Sequence, residues 1–224
     1  MTDKVIENNR VTIVGEVVSE FEFSHEVYGE GFYTLNISVN RLSDSVDIIP
    51  LMISERLVDV TEDLRGVIIE ASGQFRSYNR HEEQKNRLVL SVFVRELEFI
   101  DEELDGAKTN HILLEGYICK KPIYRQTPFG REIADLLLAV NRAYNKSDYI
   151  PTIAWGRNAR FCQNLEVGAQ VKIIGRVQSR QYEKKYEDGT SEMKVAYEVS
   201  ICSLELINEE GTEKKEETDS QEAV

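Results

Sequence analysis

Apolar residues recur at alternate positions in matching stretches of the two halves of the chain. Val11 and Ile13, then Leu35, Ile37 and Val39, set the pattern in the first half; Ile112 and Leu114, then Leu136, Leu138 and Val140, repeat it in the second. A period of two predicts strands with one buried face. Gly15 and Gly116 interrupt the first strand of each half. A glycine there permits the bulge or bend that a small barrel needs. Turn signals follow at Gly29-Glu30-Gly31 and Pro128-Phe129-Gly130. A third strand is predicted near Ile48–Ile53 and Tyr149–Trp155. Short helices are predicted over Ser54–Leu64 and Asn158–Leu165, each stopped by a glycine, Gly66 or Gly168. A last hairpin pairs Val67–Ser77 with Leu88–Phe93, and Val171–Tyr182 with Val195–Ile201. Asp188-Gly189 marks the tip of the second.

The two halves are one unit written twice. A shift of 101 residues lays Gly15 on Gly116, Leu35 on Leu136, and Val39-Asn40-Arg41 on Val140-Asn141-Arg142. The same shift lays Asp47 and Pro50 on Asp148 and Pro151. One further residue brings Gly73 and Ser77 onto Gly175 and Ser179. A register held over that distance indicates a tandem repeat. The expected fold class is all-β: two tandem five-stranded barrels of the OB type, each with a short helix, and a disordered acidic tail. The expected boundaries are 1–100 and 109–207 for the barrels, 101–108 for an acidic linker and 208–224 for the tail.

Charge sharpens this division. The chain has 224 residues and a net charge of −13. Residues 1–100 carry −8, the linker −3 and the tail −5, but residues 109–207 carry +3. The one net-positive segment is therefore the second copy, the place to look for an anionic ligand. The tail lacks aromatics and should not fold. Three widely spaced cysteines, Cys119, Cys162 and Cys202, suggest neither a disulfide framework nor a zinc pair. No apolar run reaches membrane-spanning length, and the N-terminus lacks a signal peptide's features, so the expected location is cytoplasmic. Neither a phosphate-binding Gly-x-x-x-x-Gly-Lys loop nor a Gly-x-Ser-x-Gly elbow occurs. Enzymatic function, a metal and a cofactor all lack positive support.

Tyr149 and Trp155 lie an even number of residues apart and share one face of a strand. From the pattern alone that face is either the barrel core or an open surface. The stretches Leu138-Ala139-Val140-Asn141-Arg142-Ala143-Tyr144, Asp148-Tyr149-Ile150-Pro151-Thr152-Ile153-Ala154-Trp155-Gly156-Arg157 and Gly175-Arg176-Val177-Gln178-Ser179-Arg180-Gln181-Tyr182 resemble the bacterial single-stranded-DNA-binding protein (SSB) family. The resemblance spans about 110–207, with a weaker echo over 9–100. It implies that Tyr144, Tyr149, Trp155 and Tyr182 are stacking platforms for bases. It also implies that Arg142, Arg157, Arg160, Arg176, Arg180, Lys184 and Lys185 contact phosphates. Aromatic faces accept any base, so such binding is not sequence-specific.

The first copy departs from the pattern, with Ser43, Ile48, Ser54 and Asp59 at the positions of Tyr144, Tyr149, Trp155 and Arg160. It is read as aromatic-poor and suited to assembly, although Arg76, Tyr78, Arg80, His81, Lys85 and Arg87 leave weak binding open. The tail ends without the family's Pro-Phe-like tip. The implied function is protection of single-stranded DNA in replication, recombination or repair. The implied partners are that DNA, replication or repair proteins through the tail, and a second copy of the chain in a homodimer. A replication-restart or scaffold protein, whose barrels mainly contact proteins, is the alternative.

Overall fold

The computed structural model describes residues 7–41, 45–82, 85–101, 109–186 and 189–207, except the side chains of 79–87. Linker residues 102–108, the tail, Ser43 and Asp188 lie outside the described residues, as do the side chains of Arg80, His81, Lys85 and Arg87.

Six strands form the first copy: β1 (Asn9–Val17), β2 (Glu22–Val27), β3 (Glu30–Asn40), β4 (Val46–Ser54), β5 (Ile68–Glu82) and β6 (Lys85–Phe99). Six equivalents follow: β7 (Asn110–Ile118), β8 (Ile123–Gln126), β9 (Glu132–Arg142), β10 (Lys146–Trp155), β11 (Gln170–Lys185) and β12 (Ser191–Ile207). The first strand of each expected five-stranded barrel is broken into two segments, β1 with β2 and β7 with β8. In each barrel the first strand pairs with the long fourth one, β1 with β5 and β7 with β11. A parallel pairing, β4 with β6 or β10 with β12, and a short contact, β1 with β3 or β7 with β9, complete the closure.

The alternating residues fill the interior as predicted. Val11, Ile13, Leu35, Ile37, Val39, Ile112, Leu114, Leu138 and Val140 are all buried in the core. The strand glycines at the bulges have a specific task. A Cβ on Gly73 would sit 2.1 Å from the Phe93 carbonyl oxygen, and one on Gly175 would sit 2.2 Å from that of Ser200. Both lie where the pairing register slips by one residue, so the absent side chain lets two backbones close up at a bend. An asparagine braces each bend. Asn9 donates from Nδ2 to the Phe75 carbonyl at 2.7 Å and accepts the Phe75 N–H at 2.9 Å. Asn110 does the same for Val177, at 2.7 and 2.9 Å.

The helix expected in each copy forms only in the second, as α1 (Arg157–Cys162). In the first copy Ser54–Leu64 is a run of turns. Asp59 explains the difference: its carboxylate accepts the Thr61 N–H at 2.9 Å and the Thr61 hydroxyl at 2.7 Å. Such local side-chain bonds compete with the helical ladder, and Val58 and Val60 add β-branched stiffness.

The copies join edge to edge. β1 pairs antiparallel with β7, with Val11 opposite Ile112, Asn9 opposite Leu114 and Ile13 opposite Asn110. Each of those pairs maps onto itself or onto another under the 101-residue shift. An approximate two-fold axis therefore passes through the Val11–Ile112 pair. The result is one continuous sheet of twelve strands, β2-β3-β4-β6-β5-β1-β7-β11-β12-β10-β9-β8. The two long hairpins, β5–β6 and β11–β12, each reach across to the opposite copy.

Candidate nucleic-acid interface

On β10 the even-numbered residues Ile150 and Ala154 belong to the core, while Tyr149 and Trp155 point the other way. Their exposures, 47% and 38%, exclude the reading in which these rings fill the barrel. The half-buried Pro151 and the buried Ile153 lie between them on the same side of the strand and form an apolar floor beneath the rings. The floor continues sideways. Trp155 is opposite Ile133 on β9, and Ile133 is opposite Arg125 on β8. In the other direction Ile153 is aligned with Ser200 on β12, and Ser200 is opposite Arg176 on β11. Beyond Arg176 the same side of β11 presents Gln178, Arg180 and Tyr182. The Arg180 guanidinium lies 5.8 Å from the Tyr182 ring centroid. Tyr149, Trp155, Tyr182, Arg176 and Arg180 thus share one outer face.

The remaining candidates are placed differently. Tyr144 stands 94% exposed in the turn between β9 and β10, in the left-handed region at φ 60°. It is a free ring at the end of the face, not part of the row. Arg157 opens α1 and is exposed. Lys184 lies 5.1 Å from the Tyr186 ring on the long hairpin, and Lys185 beside it is exposed. Arg160 is clasped by Glu132 with contacts of 2.6 to 2.8 Å, and Tyr124 donates to the same carboxylate at 2.6 Å. Arg160 therefore offers less free charge than the sequence suggests. Arg142 leaves the row altogether. It turns to the seam between the copies, 3.4 Å from Asp148. There it lines a groove with residues of the first copy.

Ion pairs temper the whole face. Arg180 lies 3.8 Å from the buried Glu198, which also accepts from Gln178 at 2.7 Å. Arg125 bonds Asp135 at 2.8 Å. Arg176 bonds Gln178 at 3.2 Å and lies 3.5 Å from Asp47 of the first copy. Arg125 is the residue that the sequence reading omitted. Counting back from the Thr127–Arg131 turn places it beside Ile133 and hence Trp155.

The first copy requires a correction. It has Ile48 and Ser54 where the second has Tyr149 and Trp155, but it is not poor in aromatics. It holds nine to the second copy's ten. Phe23 is 58% exposed, His25 stacks on Phe32 at 5.1 Å, and Phe32 meets Phe93 at 5.7 Å. The rings sit on neighbouring strands of the corresponding face, so matching positions one by one fails to register them.

Residues 109–207 match the model of the single-strand binding protein family. The second barrel is similar to that family over its whole length. A single-stranded DNA-binding protein of Clostridium tetani is 36% identical over 88 residues, covering 36% of this chain and 59% of that protein. Single-stranded DNA-binding protein A of Bacillus subtilis is 35% identical over 83 residues, covering 34% and 48%. The chain thus spans about half the length of the curated relatives it matches. The fold likeness extends beyond the second barrel. The crystal structure of the single-stranded DNA binding protein from Thermus aquaticus superposes with a TM-score of 0.70 at 18% identity. That superposition covers 89% of this chain and 93% of the other, so it takes in both copies. Among the described residues, no helix is long and apolar enough to cross a membrane.

Proposed function

We propose that this protein coats single-stranded DNA without marked sequence preference, during replication, recombination or repair. The observation that carries this is the outward orientation of Tyr149 and Trp155 on the barrel that matches the family. Bases stack on those rings and on Tyr182, while Arg176 and Arg180 approach the phosphates. Binding needs no cofactor and no chemistry: stacking contributes about 1–3 kcal/mol per base, and counterion release supplies the rest. Each copy, 1–100 and 109–207, is proposed to be a domain. Two barrels per chain suit a homodimer presenting four. The acidic stretch 208–224 is proposed to contact replication or repair proteins, and the protein to act in the cytoplasm on the nucleoid.

Titration with oligo-dT at low salt, following fluorescence, tests the central claim. Trp155 is the sole tryptophan, so quenching reports from the proposed face. Strong quenching is expected. An unchanged spectrum would refute the stacking mechanism.

A further inference from the structure

The twelve-stranded sheet has two open ends, β2 in the first copy and β8 in the second, and each pairs on one side only. These ends are equivalent in the repeat and opposite in charge. Residues 20–30 hold four acids, Glu20, Glu22, Glu26 and Glu30, and no lysine or arginine. The same positions shifted by 101, residues 121–131, hold three bases, Lys121, Arg125 and Arg131, and no acid. Some of this charge is already committed: Arg65 pairs with Glu20, Arg56 with Glu30 and Asp135 with Arg125. Glu22 and Glu26 at one end, and Lys121 and Arg131 at the other, are exposed and carry no ion pair among the described residues. Apolar side chains stand beside them. Phe23 and Val27 on β2 and Ile123 on β8 are exposed; Tyr28 and its repeat partner Phe129 are almost fully so, at the adjoining turns. Tyr28 holds φ of 51°, a left-handed backbone uncommon for an aromatic residue.

We propose that the β2 edge of one chain docks on the β8 edge of a second copy, joining neighbours head to tail along a coated strand. Opposite charge favours this arrangement over a two-fold contact of either edge: β2 against β2 sets acid on acid, and β8 against β8 sets base on base. A head-to-tail contact leaves one end of each kind free, so it can repeat from chain to chain. The contact is weak by construction. A bulge between Phe23 and His25 interrupts β2, and Pro122 precedes the four residues of β8, so few backbone bonds can bridge the edges. Neighbours held on one strand meet at high effective concentration, and the contact then acts as cooperativity between bound chains. This setting rests on the reading of the protein as a single-strand binder.

The test compares the full chain, Glu22→Lys/Glu26→Lys, Lys121→Glu/Arg131→Glu, and an equimolar mixture of the two variants. The probes are oligo-dT of about 8 nucleotides and of about 70, the longer holding at least two chains at about 4–16 nucleotides per barrel. At low salt, with protein below saturation, wild type should crowd onto some long strands and leave others bare in native gels. Each variant alone has two ends of like charge and should spread evenly, its preference for a neighbour down about tenfold. In the mixture every basic edge meets an acidic one, so crowding should return. Circular dichroism checks folding. Should a reversal misfold, Glu22→Gln/Glu26→Gln takes its place and should crowd less than wild type; equal crowding overturns the contact. Even spreading by the wild type, or a mixture no more crowded than its parts, overturns the edge contact and leaves strand binding intact. Failure of the wild type to bind either probe overturns the parent reading. Sedimentation of the mixed variants without DNA then decides the edge contact: faster movement than either variant alone supports it, and identical movement overturns it.

Discussion

The carboxylate of Asp148 in the second copy accepts the backbone N–H of Ser77 in the first, at 2.8 Å. Its repeat partner, Asp47, accepts the Ser179 N–H at 2.7 Å and the Ser179 hydroxyl at 3.0 Å. The same contact is made twice across the approximate two-fold axis, once in each direction. It clamps each long hairpin to the opposite barrel. The two ends are not equivalent, however. Asp47 is bonded by Arg41 and approached by Arg176. Asp148 has Arg142 at the longer distance of 3.4 Å, and its Oδ2 lacks a partner among the described residues.

That asymmetry gives a pH signature. Burial raises the pKa of Asp148, outweighing the Ser77 N–H bond and the nearby arginines. A raised folded-state pKa means that the folded form holds its proton more tightly than the unfolded chain. The stability from this group is present below the unfolded value of about 3.9 and is lost as pH rises through the folded one. Asp148→Asn cannot titrate. The melting temperature of wild type minus that of the variant should therefore fall as pH rises from about 3.5, then level off. Thermal melts across that range check this, and a difference that grows with pH would contradict it.

The braced bends predict a stability hierarchy. Asn110→Ala removes both bonds to Val177 and leaves a backbone N–H and carbonyl unsatisfied in the interior. The expected cost is about 2–6 kcal/mol in urea unfolding, from about 1–3 kcal/mol for each of the two orphaned groups. Gly175→Ala forces a Cβ against a backbone oxygen that cannot rotate away, and should cost at least about 2 kcal/mol. Gly189→Ala, at a hairpin tip with open space around it and φ of 83°, should cost only about 1 kcal/mol. A Gly175→Ala variant as stable as Gly189→Ala would show that the close approach is not required.

The repeat register, the barrel strands and the open face of β10 were legible because all are local or periodic. Tyr149 and Trp155 announce a shared face by their spacing, and the family resemblance selects the outward one. The joining of β1 to β7 was not legible, because nothing in a repeat says whether its copies touch. Arg142 and Arg160 were placed by sequence on a surface they serve poorly. Their partners explain why: Asp148 lies across a turn and Glu132 lies 28 positions away. The helix expected in the first copy gives way to the Asp59–Thr61 bonds and the β-branched Val58 and Val60. The rings of the first copy were overlooked because Phe32 and Phe93 do not occupy the positions of Tyr149 and Trp155, although they line the corresponding face.

Trp155→Ala and Tyr149→Ala should each weaken oligo-dT binding by about 1–3 kcal/mol, since each removes one stacking platform. Neither ring faces the core, so both variants should keep the wild-type circular dichroism spectrum. Anisotropy with a labelled oligomer measures the affinity without relying on tryptophan. Loss of fold in Trp155→Ala would contradict its placement on the outer face.

The arginines separate by what already holds them. Arg160 is bound by Glu132 in a close, multiply bonded pair, whereas Arg180 is 3.8 Å from Glu198 and lies over the Tyr182 ring. A phosphate approaching Arg160 has to compete with a carboxylate already seated; one approaching Arg180 competes with a looser contact. Each phosphate contact contributes about −0.7 to the slope of log affinity against log salt on single strands. Arg180→Gln should therefore flatten that slope by about 0.7 and weaken binding most at low salt. Arg160→Gln should leave the slope near the wild-type value. Its loss should register in stability instead, since among the described residues Glu132 then keeps Tyr124 alone as a side-chain partner. Titrations at four or five salt concentrations decide the matter, and equal slope changes for the two variants would mean that the Glu132 pair opens on binding.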